Sequence, residues 1–216
     1  MKAVAVVRRK CGGLKVGHAG TLDPLATGVL VVALGRATKS ISEVMNTTKR
    51  YRTVIDLSAF TTTDDKEGER TEVESSQRPT SSDIEDKLEL FRGESLQRPP
   101  NFSAMKIGGR RAYKIARAGE TPELEPRKVH AHEIALIRYE WPHVELDLHV
   151  DKGFYVRSLA RNLGEELATG GHCASIRRTA VGPFTLEGAE DPNELPDPLP
   201  LGHILDVESV LRMLSV

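Results

Sequence analysis

Three short segments of this 216-residue chain hold side chains whose types and spacing could do chemistry. Residues 15–28, KVGHAGTLDPLATG, gather Lys15, His18 and Asp23 among three glycines, in a stretch too broken to be helix or strand. Polar groups on a loop between rigid elements are where reactive side chains concentrate. The same letters also describe a plain connection, because Asp-Pro commonly starts a turn. The glycines match neither a Gly-Lys-Ser/Thr phosphate loop nor a Gly-x-Gly-x-x-Gly dinucleotide turn, which disfavours nucleotide hydrolysis. Residues 153–157, GFYVR, place Arg157 where it can grip a carboxylate with two hydrogen bonds, and Phe154 or Tyr155 where a ring can stack. Residues 49–52, KRYR, set Tyr51 between cations, which suits a base stacked on an aromatic with phosphates nearby. Read alone, the last two are better explained by a strand end and by a tyrosine packed at a strand start.

The elements that must position these groups follow from periodicity. The run VLVVAL between Gly28 and Gly35 reads as a strand, 37–44 as a short helix, and 51–57 as strand again. Residues 61–77 are polar, acidic and patternless, as in an exposed hairpin or loop. A helix is expected near Ser82, with Glu85 completing a capping box and Ile84, Leu88 and Phe91 on one face. Residues 92–120 mix Pro-Pro, Gly-Gly and basic side chains, as in a mobile basic loop with a short helix. Val144, Leu146, Leu148 and Val150 alternate with polar residues, the period of a half-buried strand. Residues 158–168 then read as a helix, with Leu159, Leu163 and Leu167 on its stripe and Gly170 as C-cap. A proline-rich linker follows, and 204–214 forms a last small helix. The order is mixed rather than a strict βαβ repeat, which favours an α+β fold around a mixed sheet.

Composition bounds the function. The 39% apolar and 28% charged content fits a folded globular chain. No apolar stretch approaches the ~20 residues that cross a bilayer, and no signal-peptide pattern opens the chain, so a cytoplasmic protein without a membrane partner is expected. Cys11 and Cys173 read as buried spectator thiols, and no Cys/His pair has zinc spacing; no metal is expected. The net charge of −1 argues against a nucleic-acid partner until it is divided along the chain. Residues 1–60 carry ten basic against three acidic groups and 97–130 carry eight against three, whereas 61–96 carry five against eleven and 181–216 one against seven. Such blocks let a fold present a positive face.

Taken together, KVGHAGTLDPLATGVLVVALGRATK, KRYR, TTTDDKEGE, RPPNFSAMKIGGRRAYKIARAG, GFYVRSLARNLG and IRRTAVGPF resemble, in order, the bacterial tRNA pseudouridine-55 synthases of the TruB family. The resemblance spans residues 2–184. It implies the pseudouridine synthase fold, a mixed and mostly antiparallel central sheet flanked by helices. It also implies a cofactor-free isomerase that detaches uracil from C1′ of a T-loop uridine, turns it and rejoins it through C5. Asp23 matches the catalytic aspartate, Arg157 the arginine that pairs with it, and Tyr51 the aromatic that stacks on the target base. Tyr155 and Ile176 match positions lining the uracil pocket, and His18 matches the residue that wedges beside the extruded nucleotide. Residues 98–117 correspond to an RNA-clamping insertion, in which Lys106, Arg110, Arg111, Lys114 and Arg117, together with Lys15, are expected to contact phosphates. Whether Asp23 adds to C1′, adds to the ring, or assists loss of the C2′ proton to give a glycal stays open at this stage.

The chain departs from the family pattern at its ends. Relatives begin with a strand and turn ahead of the helix that 2–9 resembles, so the N-terminal strand is expected to be missing, with the true start upstream or the chain truncated. A catalytic domain over 1–184, with its basic insertion at about 92–120, is expected to be followed by a linker and short helix at 185–216 in place of a full PUA domain. A tRNA T-arm partner, a monomer and no obligatory protein partner are the matching expectations. Two other readings stand beside isomerisation: a tRNA-folding chaperone with weak or no turnover, and a small-molecule enzyme using Asp23 and His18.

Overall fold

The computed structural model describes residues 2–74 and 78–215. In chain order the elements are α1 (Lys2–Lys10), β1 (Val16–His18), β2 (Thr27–Gly28), β3 (Val32–Leu34), α2 (Ile41–Met45), β4 (Lys49–Asp56), β5 (Ala59–Thr61) and β6 (Arg70–Glu72). There follow α3 (Ser81–Leu88), β7 (Gly93–Gln97), β8 (Lys106–Ile107), β9 (Arg110–Arg111), α4 (Ala112–Arg117), β10 (Arg127–Glu140) and β11 (His143–Val150). The last elements are α5 (Val156–Glu166), β12 (His172–Val181), β13 (Phe184–Thr185) and α6 (Val207–Leu214). The α+β class and a mostly antiparallel sheet with helices are as expected. No described helix is long and apolar enough to cross a membrane.

The chain forms two compact units, one of residues 1–50 with 178–216 and one of 51–177. In the first, β1 pairs antiparallel with β3, and the end of β12 pairs with β13 and β2. Its interior has two apolar clusters. Ala19, Val29, Val44 and Val181 are joined by Val210 and Leu214 of α6, while Val4, Val7 and Val16 lie under Leu30, Val32 and Leu195. The expected strand across VLVVAL is shorter than its composition suggests. Only 32–34 keep the β1 ladder, because 29–31 turn to close the loop described below.

In the second unit the strand order is β12-β4-β11-β10-β7. The alternation read along 144–150 is fully realised: Val144, Leu146, Leu148 and Val150 are completely buried, as are Leu159 and Leu163 of α5. Four expectations are corrected. The capping box of α3 is Thr80 with Asp83, two residues earlier than Ser82 with Glu85, because Thr80 is the extended residue and its hydroxyl accepts from the Asp83 amide. Gly170 does not cap α5; Ala168 takes the left-handed conformation at φ 53°, and Gly170 is needed where a Cβ would lie 2.2 Å from the Ala59 backbone nitrogen. Residues 93–97 form an edge strand on β10, not a loop. Cys11 is half-buried rather than buried, and neither cysteine is in a disulfide.

Of residues 61–74, most are exposed as expected, but Thr61 and Asp65 are buried; 75–77 lie outside the described residues. Strands β5 and β6 make the expected hairpin, but its connection carries Asp65 at 2% exposure. The base of that hairpin is held by Asp56, which accepts hydrogen bonds from the Ser58 amide (2.8 Å) and hydroxyl (2.5 Å) and faces Arg70 at 3.5 Å. Burial alone would push the Asp56 carboxyl up, yet the Ser58 hydrogen bonds and the nearby His172 and Arg70 outweigh it and the net shift is downward. A carboxyl lowered on folding contributes stability above its ordinary range and loses it as pH falls through the folded value. Asp56→Asn is therefore expected to flatten the acid side of a melting-temperature profile below about pH 5, where the ordinary carboxylate range begins. Profiles of parent and variant that run parallel over that range would contradict this.

Candidate active site

The segment 15–28 is not free of strand, contrary to expectation: Lys15 precedes β1, His18 ends it, β2 lies at 27–28, and Asp23 sits on the connection from β1 to β3. Its neck is closed by the Ala19 amide donating to the Val31 carbonyl at 2.9 Å. Its two flanks are held by one residue, Arg178 of β12, which is 2% exposed. Arg178 Nε donates to the Val29 carbonyl at 2.8 Å and a terminal nitrogen donates to the Gly20 carbonyl at 3.2 Å. In return, the Arg178 carbonyl accepts from the Val29 amide at 2.8 Å. At the tip, the Asp23 carbonyl accepts from the Ala26 amide at 2.9 Å, the turn that Asp-Pro foretold. Asp23 is half-buried, as is His18, and Lys15 is exposed. The His18 Nδ1 atom is shielded and has no hydrogen-bond partner among the described residues. A loop pinned at both flanks presents its carboxylate in a fixed place, which is what positioned chemistry requires.

Gly28 permits that anchoring. Its φ is +101°, and a Cβ there would stand 2.1 Å from the Arg178 carbonyl oxygen. Gly28→Ala thus combines a left-handed penalty with a backbone clash, and is expected to cost about 3 kcal/mol. Chemical denaturation checks this; a variant within about 0.5 kcal/mol of the parent would show that the loop is not clamped as described.

The second unit carries Tyr51 on β4, Tyr155 at the N-cap of α5, Arg157 in its first turn, and Ile176 on β12. Ile176 is buried, Tyr51 and Tyr155 are half-buried, and the Tyr155 amide donates to the buried Gln97 side chain at 3.0 Å. Arg157 lies 3.4 Å from an Asp65 carboxylate oxygen, with side-chain exposures of 4% and 3%, and donates to the carbonyls of Thr63 (2.9 Å) and Phe102 (3.0 Å). One turn on, Arg161 pairs with Asp64 at 2.6 Å and donates to the Arg98 carbonyl at 2.8 Å, which Ser158 also engages. Burial pushes the Asp64 carboxyl up, and Arg161 and Arg157 recover only part of that shift. The start of α5 therefore grips both the acidic connection and the root of the basic segment.

That basic segment is a hairpin, β8 with β9, followed by α4. Lys106, Arg110, Arg111, Lys114 and Arg117 are all exposed. Arg110 faces Glu120 at 3.2 Å, Arg111 donates to the Ala104 carbonyl at 2.8 Å, and Arg117 lies over the Tyr113 ring. Residue types alone missed Asp64, Asp65, Arg161 and Arg178. The first two were hidden in an acidic run, although a pair of aspartates ahead of an Arg-x-x-x-Arg helix start was a usable signal. Arg178 sits in a strand whose burial alternates, inward between exposed Arg177 and half-buried Thr179. A surface concavity of about 420 Å³, lined by Val54, Trp141 and His143 among others, includes none of the candidate residues.

The sequence model described as TruB family pseudouridylate synthase (N terminal domain) matches residues 8–156, which includes the Asp23 loop, Tyr51 and the whole basic hairpin. The chain belongs to this family. Curated relatives named tRNA pseudouridine synthase B are 47% identical over 193 residues in Corynebacterium diphtheriae and 50% identical over 174 residues in a Ruegeria species. These alignments cover 86% and 80% of this TruB family chain but 64% and 57% of the relatives, so the chain spans about three fifths of their length. Among solved structures, one titled as an H/ACA RNP bound to a substrate RNA containing 2′-deoxyuridine is similar over 90% of this chain and 47% of that one, with a TM-score of 0.66 at 25% identity. A Cbf5–Nop10–Gar1 complex is similar over 84% of this chain and 45% of that one, with a TM-score of 0.64 at 28% identity.

Proposed function

We propose that this chain isomerises a tRNA uridine to pseudouridine, at position 55 of the T-loop. The observation that carries the reading is the Asp23 loop: a carboxylate on a turn clamped by Arg178, within the span matched by the family. The relatives named tRNA pseudouridine synthase B supply the substrate class.

The reaction is an internal exchange. The N1–C1′ bond breaks, C5 bonds to C1′, the proton on C5 is released and N1 gains one, so no oxidant, reductant or cofactor is consumed. Asp23 acts as the nucleophile toward C1′ or the ring, or as the base at C2′; each role needs a carboxylate held ionised at a fixed place. The target base is stacked in the folded T-loop, and drawing it out costs a few kcal/mol of unstacking. Stacking on Tyr51 and packing against Tyr155 and Ile176 offset that cost, with His18 filling the space beside the displaced nucleotide. Arg157, whose guanidinium is held by Asp65 and two carbonyls, takes the part of the arginine that steadies the catalytic carboxylate. Lys15, Lys106, Arg110, Arg111, Lys114 and Arg117 contact phosphates.

The test is release of tritium from 5-tritiated uridine in a T-arm RNA incubated with the chain. Release equivalent to one proton per uridine converted is expected. RNA binding without release would favour a folding chaperone, and absence of both would overturn the assignment to tRNA.

A further inference from the structure

The second unit brings together a cluster that the proposed isomerisation does not use. Strand β10 carries His130 and His132, and the residue after β11 is Asp151, whose amide donates to the His130 carbonyl at 3.0 Å. The ladder between these strands shifts register here: Ala131 faces Val150 and Glu133 faces His149, so His132 is the inserted residue of a bulge. Bulges re-aim side chains. This one brings the His132 ring 4.5 Å from the His130 ring and 4.7 Å from that of His149.

The donor atoms converge. His132 Nε2 lies 2.8 Å from one Asp151 carboxylate oxygen, and His130 Nδ1 lies 3.9 Å from the other. The ligand atoms of all three residues fall within 4.8 Å of one another. A hydrogen bond accounts for the His132–Asp151 contact but not for His130. Its Nδ1 is shielded from solvent and has no hydrogen-bond partner among the described residues. A shielded ring nitrogen held just beyond hydrogen-bond range of a carboxylate is poorly satisfied as it stands, and is well placed to share an ion with that carboxylate.

We propose that His130, His132 and Asp151 bind one divalent transition-metal ion of the zinc type. Two borderline imidazoles with one carboxylate suit zinc or its neighbours, whereas calcium and magnesium prefer oxygen alone. Bonds of about 2.0–2.2 Å in a tetrahedral shell separate ligand atoms by about 3.4 Å. The 3.9 Å gap at His130 needs to close only slightly, and the 2.8 Å pair at His132 to open. Both histidine side chains are 38% exposed and Asp151 is 45% exposed, so the cluster lies at the surface, where water can complete the shell of a bound ion. The set is invisible to a search for Cys/His spacing because the hairpin, not the local sequence, joins Asp151 to the histidines.

The experiment uses the untagged 216-residue chain, stripped with chelator and titrated with zinc chloride by calorimetry, with cobalt(II) absorption reporting the geometry. One zinc per chain is expected, with the ring-proton resonances of His130 and His132 shifting together. His132→Ala and Asp151→Asn should each weaken binding by about tenfold or more, at unchanged melting temperature without metal. His203→Ala, which removes a surface histidine paired with Glu190, should leave binding unchanged. Lack of saturable binding near one equivalent, or binding that both variants retain in full, would overturn the proposal.

Discussion

Asp23→Asn is expected to lower tritium release from a T-arm uridine by more than about a thousandfold with the loop still in place. The two halves of that expectation have separate causes. The local turn is made by the Asp23 carbonyl, and the loop by Arg178 at Gly20 and Val29, so an amide side chain keeps both. What is lost is the negative charge, and with it the nucleophilicity and basicity that let a carboxylate attack carbon or accept a proton. Binding of the T-arm RNA should persist, because it rests on the exposed cations of the β8–β9 hairpin and α4. Undiminished release by the variant would remove Asp23 from the chemistry.

The second large effect is expected at Arg157. Its guanidinium is the charged partner of Asp65, and both side chains are almost completely buried. Arg157→Met would leave Asp65 with hydrogen bonds from the Thr63 hydroxyl and the Glu67 amide but no charge partner among the described residues, besides stripping the Thr63 and Phe102 carbonyls of this donor. Breaking a buried pair from one side costs about 3–5 kcal/mol, a large share of a total stability of about 5–15 kcal/mol. Removing the second charge as well, in the Arg157→Met/Asp65→Asn double variant, should recover part of the loss, since the isolated buried carboxylate is then gone. Urea denaturation of the two variants decides. A single variant within about 1 kcal/mol of the parent, or a double variant less stable than the single, would contradict the pairing.

How much was legible in the sequence depended on whether one local rule governed each element. The alternation at Val144, Leu146, Leu148 and Val150 and the Leu159/Leu163 stripe are single-rule patterns, and both are buried as read. Where two rules competed, the nearer one misled. Thr80, Ser81 and Ser82 all offer a hydroxyl, and two of them have an acidic residue three positions on. Only backbone conformation selects Thr80. Gly170 satisfied the preference for glycine after a helix, but close packing on Ala59 claimed it, leaving Ala168 to take positive φ. At the candidate site, residue types pointed to the Asp23 loop because its polar groups are contiguous. They could not show that Asp64 and Asp65 are buried, since that depends on arginines from a helix roughly ninety residues away, nor that Arg178 clamps the loop from a distant strand.

The most direct test of the central claim is pseudouridine mapping of tRNA at position 55. Unmodified tRNA incubated with this chain should show pseudouridine at that position and unmodified uridine at the others. Uridine remaining at position 55 under conditions where the RNA is bound would contradict the account.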